Sequence, residues 1–166
     1  MRAILLSFVL MTVGVSAQAQ GAQVPFVGLQ QDAGSTVEIT SESLGIDQKT
    51  GKAVFTGDVV VGMDLMRLTA DKVEVVYSAE STQGSGPISS IIASGNVIFT
   101  NGLEAAEANF ADVDLDAGEI VMTGDVILTQ GKNALSGQTL HVDLNTGQAL
   151  IEGGVQTILQ TGAISE

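Results

Sequence analysis

Three carboxylates at alternate positions, Asp112, Asp114 and Asp116, have the spacing from which a Ca²⁺ loop could start. A loop of the EF-hand type also needs Gly at its sixth position and a bidentate Glu at its twelfth. Those places hold Ala117 and Thr123, so the motif fails. Period-two alternation instead puts the three acids on one solvent face of a strand. His141 is the single histidine, on the polar side of its segment between Leu140 and Val142. With no Cys and no second His, zinc would need a carboxylate-only set. A Ser-His-Asp arrangement would have to use His141, and no Ser sits in a Gly-x-Ser-x-Gly turn. Gly84-Ser85-Gly86-Pro87 reads as a loop tip. The other carboxylates fall in turns or on outward faces, with no pair marked for acid–base work. These residues predict no enzyme, no metal site and no cofactor.

What must be explained is how the elements carrying them are organised. The chain has 166 residues, no Cys, 20 Gly and a formal charge of −13 at pH 7. So acidic a surface repels nucleic acid and anionic membrane faces, so no nucleic-acid partner is expected. Met1-Arg2, the short apolar run Ile4 to Val15 and the small-x-small Ala17-Gln18-Ala19 predict a cleaved secretory signal over 1–19. A retained N-terminal anchor is the alternative. The expected divisions are then a flexible N-terminal segment at 20–35, one domain at 36–160 and a tail at 161–166.

The domain is built from a repeat. Gly57, Gly95, Gly124 and Gly153 lie 38, 29 and 29 residues apart, and the polar stretch 78–86 accounts for the longer interval. The first three sit in the phrases "FTGDVVV", "ASGNVIF" and "MTGDVIL"; the fourth, "EGGVQ", is a worn copy. Upstream of each, apolar and polar residues alternate, as in Leu44, Ile46; Val73, Val75; Ala111, Val113; and Leu140, Val142. That period is the signature of half-buried strands. Turn signals follow at Lys49-Thr50-Gly51, Asp116-Ala117-Gly118 and Asn145-Thr146-Gly147. The glycine corner itself suits a bulge or sharp bend. Leu103 to Ala111 has the Ala and Glu content of a helix, but the repeat frame makes it a strand. The fold class predicted is all-β: bent antiparallel strands in two layers around an apolar interior.

Mean hydropathy is +0.35 despite the charge. Val59-Val60-Val61, Ile91-Ile92, Val97-Ile98-Phe99 and Val126-Ile127-Leu128 carry apolar residues on both faces. Two readings stay open on these residues: a well-packed core, or a long trough left open for an apolar ligand.

The Gly-[Asp/Asn]-Val phrase, the Leu-x-[Ala/Gly]-x-x-[Leu/Val/Ala] pattern at 68–73 and 135–140, and the apolar-Asp alternation after it resemble the LptA/OstA-like family of lipopolysaccharide transport proteins. The resemblance runs from Val37 to Ile158. It implies an open, twisted β-jellyroll in the periplasm whose groove shelters the acyl chains of lipopolysaccharide. The groove residues it implies are Val37, Ile39, Leu44, Ile46, Phe55, Val59, Val61, Val73, Val75, Val97, Phe99, Val113, Met122, Val126, Leu128, Leu140 and Val142. It further implies unpaired edges at both ends, on which LptC-like and LptD-like proteins and further copies of the chain would pair head to tail. An LptC-like membrane-anchored component and a structural or adhesive β-solenoid are the alternatives. Only Lys49, Lys52, Arg67, Lys72 and Lys132 face nineteen acids after the leader, so a basic patch for an anionic headgroup is not expected.

Overall fold

The computed structural model describes residues 22–25, 36–47, 49–78 and 86–160. The expected signal at 1–19 and the tail at 161–166 lie outside the described residues. Within them are eleven strands: β1 Ala22–Pro25, β2 Val37–Thr40, β3 Ser43–Ile46, β4 Ala53–Met63, β5 Met66–Tyr77, β6 Ile88–Thr100, β7 Glu104–Asp114, β8 Glu119–Gln130, β9 Asn133–Asp143, β10 Gln148–Glu152 and β11 Gln156–Ile158. All pair antiparallel in one open sheet of order β1-β10-β9-β8-β7-β6-β5-β4-β2, with β3 also on β4 and β11 also on β9. The fold is thus all-β, and the helix-prone stretch after Leu103 is strand β7.

The repeated phrase makes a crease. Gly57, Gly95, Gly124 and Gly153 all have φ near +80°, and Asp58, Asn96 and Asp125 follow at φ 40, 46 and 50. Two consecutive left-handed residues shift the register of each long pair by bulging it. Gly accepts this freely, and Asp and Asn tolerate it better than other side chains. The strand does not end at the corner, as the sequence suggests, but continues through it. The Val that follows is buried each time, opposite a small residue: Val59 against Ala70, Val97 against Ala108, Val126 against Gly137.

The creases divide the sheet into two leaves. Directly paired residues point to one side, so the register defines inner rows that run across the strands. On the first leaf one row is Leu44, Phe55, Val73, Ala93, Ala111, Met122, Leu140, Ile151 and Ala22. Its neighbour runs from Ile46 through Ala53, Val75, Ile91, Val113, Ile120 and Val142 to Ala149. On the second leaf Ile39, Val61, Leu68, Phe99, Ala106, Leu128 and Leu135 form the matching row. The inner faces bury each other into one core.

Repeated Asp turns join the strands at the edge of the first leaf. The amides of Gly51, Gly118 and Gly147 donate to the carbonyls of Asp47, Asp114 and Asp143 at 2.8, 2.9 and 2.8 Å. The carboxylates of the same residues accept from Lys49 and Thr50, from Ala117, and from Asn145 and Thr146. Asp114 is therefore a turn builder, while Asp112 and Asp116 accept from Ser90 and Ser89.

Two expectations need correction. Four residues placed in the flexible segment at 20–35, Ala22–Pro25, form a strand on β10. They fit because Ala22 lies against Ile151, extending an apolar row by one place. In consequence the β10 edge is not unpaired, whereas among the described residues β2 and β3 at the other end have no strand beyond them.

Candidate functional site

The slot between the leaves narrows to a cavity of about 30 Å³. Val61, Met63, Met66, Leu68 and Phe99 line it from the second leaf; Ile91, Val113, Ile120 and Leu144 line it from the first. The lining is wholly apolar, with room for about one water molecule by size. It lies away from the creases, toward the free lips of the leaves. Met63 and Met66 flank the β4–β5 turn there, and unbranched Met side chains adapt to irregular gaps.

Of the residues expected to line a groove, Val61, Phe99 and Val113 meet at this cavity. Val59, Val73, Val75, Val97, Met122, Val126, Leu128, Leu140 and Val142 are buried in the core deeper between the leaves. Val37, Ile39 and Phe55 are half-buried against it. Leu44 and Ile46 occupy inner rows by register but are each 55% exposed, because β3 is an edge strand among the described residues. The sequence reading missed Met63, Met66, Leu68, Ile91, Ile120 and Leu144. Leu68 stood in the repeated Leu-x-Ala pattern, and Ile91 and Ile120 fall in the alternating frame. Met63 and Met66 carried no repeat signal.

A buried polar network at the same lip also went unread. The side-chain oxygen of Asn101 accepts from the amides of Leu103 and Glu104 at 3.1 and 2.9 Å. The Glu104 carboxylate accepts from Asn101 Nδ2 at 3.1 Å and Gln130 Nε2 at 2.7 Å. Asn101 and Glu104 are both buried. The outermost inner positions of the second leaf are thus apolar near β2, at Val37, Met63 and Met66, and polar farther on, at Glu104, Gln130 and Asn133.

The outer face carries a mostly polar hollow. A hollow of about 390 Å³ spans β8 to β10 and is lined by Gln23, Glu119, His141 and Asp143 among others. His141 Nδ1 stands 3.5 Å from Glu119, and its Nε2 stands 3.9 Å from Glu152. Among the described residues no three His, Asp or Glu side chains are grouped to hold a metal ion. Glu74 is held below the usual carboxylate range, first by the hydrogen bond from Lys72 and further by the charges of Lys72 and Lys52. Two of the five cations in the body of the chain are therefore engaged on the outer face.

Residues 38–148 match the family model of the LptA/LptD N-terminal domain lipopolysaccharide transport proteins. The chain belongs to that family. Its family is thus one of transport proteins and not one of enzymes. The fold is similar to that of LptH from Pseudomonas aeruginosa, described as the LptA-homologous periplasmic component of the conserved lipopolysaccharide transport device. That likeness has a TM-score of 0.66 at 15% identity and covers 76% of this chain and 96% of LptH. An uncharacterized protein of Rhizobium meliloti (strain 1021) is 32% identical over 103 residues, 60% of this chain. The match spans 55% of that relative's length.

Proposed function

We propose that this LptA/LptD-family chain is a periplasmic carrier that takes the acyl chains of lipopolysaccharide between its two leaves. The observation that carries the reading is the wholly apolar cavity between leaves of a sheet that never closes into a barrel. Each methylene removed from water is worth about 0.8 kcal/mol, so exposing several acyl chains costs tens of kcal/mol. A trough that shields them in transit needs no catalytic group.

A cavity of about 30 Å³ cannot hold an acyl chain, so loading requires the leaves to part. Parting at the lips removes apolar contact between leaves and replaces it with apolar contact to the lipid. The exchange conserves most of the buried area, so the net cost stays small. Carriage toward the outer membrane follows by end-to-end pairing with further copies and with LptC-like and LptD-like partners. The β2–β3 end, an edge among the described residues with Leu44 and Ile46 exposed, supports such pairing because an unpaired strand edge templates another strand.

Photo-crosslinkers at Val61, Phe99 and Val113 are expected to capture lipopolysaccharide in cells, and those at Asp112 and Asp143 are not. Equal capture at both sets would overturn the inner-trough reading. Export is checked by intact mass: the periplasmic protein is expected to begin at Gln20.

A further inference from the structure

We infer that acyl chains enter the slot sideways at one place on its lip, between the β4–β5 hairpin and the first leaf, with Leu65 and Leu103 as their first contacts. The inference rests on the proposed carriage of acyl chains and names the entry point for it.

The first argument is the change of chemistry along the lip of the second leaf. Met63 and Met66 close the hairpin as a direct pair, and both line the cavity together with Ile120 and Leu144 of the first leaf. A guest that pushes this hairpin outward meets only apolar side chains. The flexible thioethers can re-pack around it. At β7 and β8 the same lip carries Glu104 paired with Gln130, and then Asn133. Glu104 is buried, and its carboxylate takes the side-chain amides of Asn101 and Gln130. A hydrocarbon chain admitted there would displace or crowd these groups and offer no hydrogen bond in return. The lip is therefore passable near β4 and β5 and barred near β7 and β8.

The second argument is mechanical. The β4–β5 turn holds only Asp64 and Leu65. Among the described residues, the second-leaf half of β4 has only the four-residue β2 on its other side. By contrast β7 runs between two long strands, and hydrogen bonds from Asn101 and Gln130 tie its first residue to both sides. A flap near the sheet margin opens with fewer pairings to strain than one in the middle.

The third argument is what stands at the rim. Leu65 and Leu103 are 78% and 76% exposed. They sit in neighbouring turns, since β5 and β6 pair from Arg67 and Thr100 onward. Neither belongs to the buried core, so folding does not account for them. Leu65 directly precedes Met66, so the apolar lining of the cavity continues to the surface there. A lipid tail arriving at this rim removes leucine surface from water before any part of the core has opened.

For the test, photo-crosslinking residues are placed singly at Leu65, Met66, Gln130 and Asn133, with Val113 as the interior control. Each protein is exposed briefly to purified lipopolysaccharide. Capture at Leu65 and Met66 is expected to exceed capture at Gln130 and Asn133 by about tenfold. In a second arm, Leu65→Asp/Leu103→Asp changes only exposed positions, and its circular dichroism spectrum is expected to stay unaltered. It is expected to load about fivefold more slowly, while capture at Val113 reaches the same final level. If Val113 captures lipid but the two lip sets capture equally, or the double variant loads as fast as the unaltered protein, this entry point is overturned while the trough stands. If Val113 captures none, the trough reading falls, and the entry point falls with it. Capture of a protein chain at Leu65 in cells, in place of lipopolysaccharide, would make the leucines a protein contact and overturn their role in entry.

Discussion

Gly124 shows how one position supports a whole leaf. Its φ is +84°, and a Cβ there would come within 2.8 Å of the Asn109 side-chain amide. Gly124→Ala is therefore expected to destabilise the fold by about 1–3 kcal/mol in urea unfolding, from the left-handed backbone and the forced shift of Asn109. At the next position Asp125→Gly is expected to be nearly neutral, while Asp125→Val loses about 1–2 kcal/mol, since only the branched residue resists φ 50. The Asp turns give a pH signature. Asp143 is held below its ordinary value of 3.8, first by the Thr146 amide and then by that of Asn145. Asp47 is lowered likewise, first by the Lys49 amide. A lowered folded-state value means the contribution is whole above pH 3.8 and disappears as pH falls through the folded value. Carboxyl NMR titration should find both transitions below that of a free Asp; ordinary midpoints would contradict the turn geometry. These acids were legible in the sequence as solvated groups, but their role as acceptors was not, because alternation gives a side and not a partner.

Strands β6 to β8 are joined at the lip by Glu104. Truncating it to Ala removes the acceptor for the Asn101 and Gln130 amides, and the expected loss is about 1–3 kcal/mol by chemical denaturation. The same change to an exposed acid such as Glu107 is expected to cost under about 0.5 kcal/mol. Between β5 and β6, the Ser78 amide donates to the Pro87 carbonyl at 3.0 Å, so the two ends of the connection already meet. Replacing residues 79–85 with Asn-Gly is accordingly expected to leave the circular dichroism spectrum unchanged and stability within about 1 kcal/mol. A larger loss would show that this stretch holds contacts of its own. The strand character of β7 was readable only through the repeat. Its Ala and Glu favour a helix, but Ala106, Ala108 and Ala111 are needed small where they are buried against neighbouring strands.

Taken whole, the molecule is a creased sheet whose two apolar inner faces bury each other, and the proposed loading requires them to part. Bound lipid should stabilise the parted form by mass action, about 2.7 kcal/mol at a free concentration a hundred times Kd. Thermal unfolding monitored with and without lipopolysaccharide is expected to show the corresponding rise in Tm, and no rise would count against occupancy of the slot. The crease amides of Val59, Val97 and Val126 should exchange hydrogen more slowly than those of Met63 and Met66, since opening begins at the lips. Uniform protection across the leaf would mean that the two surfaces do not part.

Local chemistry and the repeat together determined most strands, the corners and the family register, though not β1. Glycine where φ must be positive, Asp in tight turns and alternating apolar residues each act within a few neighbours and recur with the repeat. Only the tertiary structure decided which rows face each other across the crease, that the cavity between the leaves is about 30 Å³, and that β1 returns to β10. Those outcomes join residues from opposite ends of the chain. The pairing of Ala22 with Ile151, or the meeting of Met66 and Leu144 in the lining of one cavity, is set by how the leaves fold together and leaves no periodic trace in the sequence.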